Sequence, residues 1–160
     1  MQYEKQISMK YLLLIITALF LTNCVSTKST LKNVDSDALR PQIKDKAYLI
    51  TEYAMDEKYG FDSDYPINIG YIHEKQEDIN IAYFFNGLEA PTGEKIIYKK
   101  LETCCPFPTK NSLMGAGTLG IYEITFEGTQ KKLTLYFNTF EKGKILCPKG
   151  FRIKKVIGKE

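Results

Sequence analysis

The chain has 160 residues and a formal net charge of +3, and its charged residues are interspersed along the sequence. This charge is too small and too evenly spread to predict a nucleic-acid-binding surface. The length suits a single domain with one sizeable core.

The beginning of the chain has the pattern of a secretory signal. Lys5 and Lys10 precede an apolar run at residues 11–22, which matches the charged and hydrophobic regions of a signal peptide. A membrane-spanning helix needs about 20 apolar residues, so this run is too short to cross a bilayer stably. We therefore predict that residues 1–23 are removed, which leaves 137 of the 160 residues.

The apolar run ends in Leu21-Thr22-Asn23-Cys24, which resembles the cleavage signal of bacterial lipoproteins. In that family the Cys thiol receives a diacylglycerol, the peptide is cut before the Cys, and the new amino group receives a third acyl chain. Leu21 and Cys24 match the family pattern, and Asn23 replaces the small residue usual before the Cys. The resemblance implies a lipid anchor at Cys24, since three acyl chains exceed the two that stable attachment needs. An ordinary signal peptide followed by an unrelated Cys is the alternative.

The lipid anchor would place the protein in the cell envelope, on the inner or the outer membrane, with the outer membrane favoured. Residues 25–41 are rich in Ser, Thr, Lys, Asn and Asp and contain few large apolar side chains. Such a composition cannot bury enough apolar surface to become ordered. We therefore predict a lipidated Cys and flexible tether over residues 24–45 and a single domain over residues 46–160.

The first half of this domain is predicted to contain strands at residues 47–53 and 66–72, followed by a helix at residues 78–88. The helix carries one apolar stripe that should pack on a sheet, formed by Ile81, Phe84, Phe85 and Leu88. An acidic stretch at residues 56–64 lacks the ligand register of a calcium-binding loop. His73, the only histidine, has no matching cluster of metal ligands, so no metal site or cofactor is predicted.

A strand is predicted at residues 95–101, and an irregular segment follows it. Pro106 and Pro108 argue against a helix or a central strand at residues 103–109. Three glycines in the following loop, residues 111–120, have the Gly-x-Gly-x-x-Gly spacing of a dinucleotide-binding loop. That loop works between a strand and a helix. Here a strand is predicted after it, so the glycines are interpreted as structural.

The clearest pattern is the apolar–polar alternation within residues 121–127 and 132–140, where the apolar positions are Tyr122, Ile124 and Phe126 in the first run and Leu133, Leu135 and Phe137 in the second. A short polar link joins the two runs, which predicts a β-hairpin with one covered face. A last strand at residues 144–147 and a basic tail at residues 149–159 complete the chain. The predicted fold class is α+β, with an antiparallel sheet of four to six strands and one helix packed on a face.

Three cysteines remain in the mature domain if Cys24 carries the lipid: Cys104, Cys105 and Cys147. The envelope permits disulfides, and at most one pair and one leftover thiol can form within a monomer. A bridge from Cys104 or Cys105 to Cys147 would close a loop of about 43 residues and contribute roughly 4 kcal/mol. We slightly favour this bridge over three free thiols or a bond between the adjacent cysteines, which geometry disfavours.

Several segments resemble a group of small lipoproteins of Bacteroidetes. The resemblance covers most of residues 59–151, and its most specific part is Cys104-Cys-Pro-Phe107; the other segments are Tyr59-Gly-Phe61, Pro66-Ile67, and residues 91–95, 121–128 and 148–151. The group has no established activity that the resemblance could imply. Some members bear the name 2-dehydro-3-deoxyphosphooctonate aldolase. An enzyme of that name resembles a TIM barrel, which needs about 250 residues.

Three functional hypotheses follow. The favoured one is a lipid-anchored binding or structural module with an envelope partner or ligand that the sequence does not identify. The second is a thiol-redox protein that uses Cys104 and Cys105, although redox motifs usually separate their cysteines by two residues. The third is an enzyme, including the disfavoured aldolase type. An exposed recognition surface, accessible thiols or convergent titratable groups would distinguish them.

Overall fold

The computed structural model describes residues 28–71 and 77–155. The predicted signal peptide, Cys24 and His73 lie outside these residues. Within them the protein has one helix and eight strands, which confirms the α+β class with a helix packed on a sheet. No helix in the described part of the chain is long and apolar enough to cross a membrane.

The elements are numbered in chain order. The strands and the helix are β1 (Ile43–Lys44), β2 (Ala47–Tyr48), β3 (Ile67–Asn68), α1 (Glu77–Asn86), β4 (Leu88–Glu89), β5 (Ile96–Pro108), β6 (Ala116–Phe126), β7 (Lys132–Asn138) and β8 (Arg152–Ile153). The central sheet has the order β3-β7-β6-β5, and β1–β2 and β4–β8 form two small antiparallel pairs.

The predicted hairpin is formed by β6 and β7, which pair antiparallel from Thr125–Lys132 to Gly120–Phe137. Alternation places Tyr122 and Ile124 in the core, where a strand needs its apolar face. The sheet is nevertheless mixed, because β3 pairs parallel with β7. A parallel pair requires a long crossover, and the segment containing α1, β5 and β6 provides it. The prediction of a purely antiparallel sheet is therefore wrong, because one of its three strand pairs is parallel.

The apolar stripe of α1 packs on one face of this sheet, as predicted. The Phe84 and Phe85 rings contact the Phe137 ring of β7 with centroid distances of 5.3 and 5.8 Å. Phe85 also stacks on Tyr98 of β5 at 4.2 Å. The helix ends at Asn86, and the next position must be glycine, because a side chain on Gly87 would collide with the carbonyl oxygen of Tyr48.

Residues 103–108, which lie in the segment predicted as irregular, belong to β5, and residues 116–120, predicted as a loop, belong to β6. Strand structure tolerates Pro106 and Pro108 because β5 is the edge strand of the sheet. The predicted strand at residues 144–147 is not formed; only an isolated bridge joins Cys147 to Tyr53. The predicted strands at residues 47–53 and 66–72 shorten to β2 and β3.

Ordered contacts begin earlier than the predicted domain boundary at residue 46. The Lys32 backbone N–H donates to the Asp64 carbonyl, and the Asp35 N–H donates to the Lys142 carbonyl, both at 2.8 Å. Residues 32–35 therefore lie on the domain, although their composition predicts a flexible tether. Backbone and amide hydrogen bonds hold this segment, and a composition-based argument does not detect them.

Candidate functional site

Cys104 and Cys105 form a disulfide with each other, with an S–S distance of 2.05 Å. Both residues are half-buried, whereas Cys147 is buried and has a free thiol. The predicted bridge to Cys147 is therefore wrong. The bridge does not form because Cys147 belongs to the main hydrophobic core, whereas the two adjacent cysteines lie on the edge strand β5.

A β-bulge accommodates the bond between adjacent cysteines. Cys104 pairs with Leu119 and Phe107 pairs with Gly117, so two residues of β5 oppose one residue of β6. Cys105 also has a φ of 58°, in the left-handed region that a regular strand does not use. The bulge removes Cys105 from the regular pairing of β5 with β6. A bond between adjacent cysteines was disfavoured on geometric grounds, and those grounds did not consider a bulge.

The two kinds of cysteine differ in chemistry. Burial raises the pKa of the Cys147 thiol to about 12, so it stays protonated and unreactive near neutral pH. The Cys104–Cys105 disulfide reaches solvent and can be attacked by an external thiolate, in the way that thiol–disulfide exchange proceeds. The predicted redox residues are thus brought together, and the third cysteine is kept apart from them.

Beyond the bulge, β5 contributes to a small aromatic contact outside the main core. Phe107 is 3% exposed and its ring lies 6.1 Å from the Phe140 ring. A Cβ atom on Gly117 would lie 2.8 Å from Phe140 and 2.9 Å from Phe107, too close for any side chain. Gly117, one of the three glycines with dinucleotide-like spacing, therefore makes room for two aromatic rings. This agrees with the interpretation of these glycines as structural.

A buried carboxylate ties the loop after β5 to the segment after β7. The Glu141 carboxylate accepts hydrogen bonds from the Thr109 hydroxyl at 2.5 Å and from the Asn111 amide at 2.8 Å. The Asn111 amide also donates to the Phe140 carbonyl at 2.9 Å. Glu141 is 6% exposed, and these donors replace the hydrogen bonds to water that its carboxylate loses on burial. Sequence reasoning missed this group, because a Glu beside Lys142 and Gly143 is typical of a solvated turn.

A chain of hydrogen bonds between asparagines joins the start of the described chain to the end of β7. The Asn138 amide donates to the Asn68 side-chain oxygen at 2.8 Å, and the Asn68 amide donates to the Asn33 carbonyl at 3.1 Å. Asn68 and Asn138 are fully buried neighbours on the parallel strands β3 and β7. We name this region, residues 32–35, 109–115 and 140–143, the loop end of the domain.

A second polar cluster fastens α1 to the sheet. The Glu77 carboxylate accepts hydrogen bonds from the Tyr122 hydroxyl at 2.9 Å and from the Lys100 ammonium at 2.8 Å. Burial, followed by the nearby Glu77 carboxylate, raises the pKa of Tyr122 far above its ordinary value. Gly120 leaves room for that carboxylate, since a Cβ there would lie 3.2 Å from its oxygen. Each polar group in the cluster has a partner inside it.

Neither cluster is arranged as a metal centre. Within residues 28–71 and 77–155, no group of three His, Cys, Asp or Glu side chains is placed to hold a metal ion. In the acidic stretch at residues 56–64, the Asp56 and Asp62 carboxylates accept backbone N–H bonds at 2.9 Å from residues two positions further on. These carboxylates therefore serve local turns.

Comparison of the chain with protein-family models, with curated proteins and with solved structures finds no match. The function must therefore be argued from the residues themselves.

Proposed function

We propose that this protein is a bacterial envelope lipoprotein whose mature chain begins at a lipidated Cys24 and whose domain acts as a binding or structural module. The observation that carries the proposal is the short apolar run that ends in Leu21-Thr22-Asn23-Cys24. That run is long enough for a signal peptide and too short for a stable membrane span.

The geometry after Cys24 supports an anchored domain. Lys32, about eight residues after Cys24, donates its backbone N–H to the Asp64 carbonyl at 2.8 Å and so contacts the domain. Eight residues span at most roughly 29 Å. Lipid on Cys24 would therefore hold the domain close to the membrane surface, on a much shorter connection than the tether predicted from composition.

The state of the titratable groups supports a binding or structural role over an enzymatic one. Glu77, Lys100 and Tyr122 satisfy one another, and Glu141 is satisfied by Thr109 and Asn111. Groups that are mutually paired in this way fasten elements together. The aldolase name has no support in the fold, because the described residues contain a single helix in place of eight β/α units.

The lipid anchor is tested by metabolic labelling with a radioactive fatty acid in a bacterial host that processes lipoproteins. We expect the wild-type chain to be labelled and the Cys24→Ala variant to be unlabelled and uncleaved. Cys147→Ala is the matched control, since it removes a cysteine that the proposal leaves unlipidated. Label on the Cys24→Ala protein would contradict the proposal.

The half-exposed disulfide in β5 supports a second candidate function, thiol–disulfide exchange. A dithiol reductant would attack one sulfur, form a mixed disulfide, and leave Cys104 and Cys105 as two thiols while the reductant becomes oxidised. For the folded protein, we expect a mild dithiol to make two cysteines per chain available to an alkylating agent. Cys147 should react only after denaturation. Alkylation of Cys147 first, or resistance of the pair to reduction while the protein is folded, would contradict this function.

A further inference from the structure

The loop between β5 and β6 presents two large apolar side chains at its tip. Leu113 has a relative exposure of 108% and the adjacent Met114 one of 88%. Because the two side chains are adjacent, they form one contiguous apolar patch, which is the kind of exposed surface that can mark a contact with a partner or a membrane.

Hydrogen bonds hold the loop in shape at its base. The Thr109 N–H donates to the Gly115 carbonyl at 3.0 Å, which closes the loop, and the Gly115 N–H donates to the Ser112 carbonyl at 3.0 Å. The Asn111 and Thr109 side chains are fixed on Glu141. The two apolar side chains are therefore displayed on an ordered turn, so little conformational entropy would be lost on contact.

The tip belongs to the same end of the molecule as the start of the folded chain. Asn111 donates to the Phe140 carbonyl, and two residues further along the Lys142 carbonyl accepts the Asp35 N–H. Cys24 lies about eight residues before Lys32, a reach of at most roughly 29 Å. An anchor on Cys24 would thus leave the loop end within reach of the bilayer.

We propose that Leu113 and Met114 insert into the interfacial region of the lipid bilayer and form a second membrane contact beside the lipid on Cys24. This inference rests on the proposed anchor. Exposed lysines on the loop end, Lys32, Lys110 and Lys142, suit a phospholipid headgroup layer. Asp35 is exposed on the same end, so apolar burial carries the contact and a zwitterionic bilayer suffices.

The absence of tryptophan from the chain allows a direct test. Leu113→Trp introduces a single indole at the tip and keeps the side chain apolar. Gln130→Trp is the matched control, because residue 130 is exposed in the β6–β7 turn at the opposite end of β6. Both full chains are expressed in a processing host, and the mature proteins are reconstituted into phosphatidylcholine vesicles with either normal or brominated acyl chains.

We expect the brominated chains to quench most of the Leu113→Trp emission, which should also be blue-shifted, while Gln130→Trp keeps its emission and wavelength. Equal emission of Leu113→Trp in both kinds of vesicle would overturn the proposal. A blue-shifted but unquenched indole would also overturn it, since the tip would then be covered by protein. Met114→Trp provides a second reporter if the thermal midpoint of Leu113→Trp differs from that of the wild type.

Mass spectrometry of the amino-terminal peptide separates the two proposals. An acylated Cys24 together with an unquenched tip refutes only the second contact. An unmodified Cys24 refutes the anchor, and the quenching then reports whether the tip binds lipid independently.

Discussion

Three buried tyrosines show how individual side chains set the response of this domain to pH. Tyr48 is 1% exposed and donates to the Asn80 side-chain oxygen at 2.8 Å, and Tyr59 is completely buried. Burial raises the pKa of Tyr48 to about 12 and raises those of Tyr59 and Tyr122 as well. A neutral hydroxyl is tolerated in these positions, whereas a phenolate would lose its hydration.

We predict from these shifts that stability falls in alkaline solution. Between pH 10 and 12 the unfolded chain loses tyrosine protons that the folded chain keeps, so the free energy of unfolding decreases as pH rises. The stabilisation is fully present below pH 10, and each affected group removes about 1.4 kcal/mol per pH unit above it. Cys147 acts in the same direction from about pH 9. Urea denaturation at pH 7, 9, 10 and 11 measures the effect.

Tyr48→Phe is the matched variant for this prediction. It should cost about 1–3 kcal/mol at pH 7, because Asn80 loses its buried partner. Between pH 10 and 11 its stability should fall less steeply than that of the wild type. An identical alkaline slope in the two proteins would show that Tyr48 does not keep its proton as described.

Among the strands, β7 is central to the sheet, because it pairs with both β3 and β6 and contributes side chains to the core. Leu135 is completely buried on one face, and the adjacent Thr134 is exposed on the other. We expect Leu135→Lys to lower the free energy of unfolding by at least about 3 kcal/mol, because it buries an unpaired charge and removes packing. Thr134→Lys should change it by less than about 0.5 kcal/mol. Similar thermal midpoints for both variants would contradict the register of β7.

The elements differ in how much of them the sequence determines. The β6–β7 hairpin and the apolar stripe of α1 were predictable, because their periodicity is local and their side chains face one core. The extension of β5 through Pro108 was not, since proline tolerance depends on β5 being an edge strand, which is a property of the whole sheet. The parallel pairing of β3 with β7 links residues about 70 positions apart and leaves no local pattern.

The candidate site was predictable to a similar degree. Cys104 and Cys105 stand out in the sequence, but their bond depends on a bulge formed with β6 and on the left-handed conformation of Cys105. The polar residues of the loop end give no signal, because Thr109, Asn111 and Glu141 are each typical of exposed turns. Only the fold shows that they meet.

For the whole molecule, the loop end links three distant parts of the chain: the segment at residues 32–35, the loop at residues 109–115 and the segment at residues 140–143. Residues 32–35 therefore contact the domain on the same side as its proposed membrane contact. If both proposed membrane contacts form, the β6–β7 turn would be directed away from the bilayer.

We propose that the mature chain starts at Cys24 and is held in the envelope by lipid on that residue. The most direct measurement is the mass of the amino-terminal proteolytic peptide from protein purified out of bacterial membranes. We predict a peptide that begins at Cys24 and carries the added mass of a diacylglycerol and a further acyl chain. A peptide that begins elsewhere, or one that begins at an unmodified Cys24, would contradict the proposed lipoprotein.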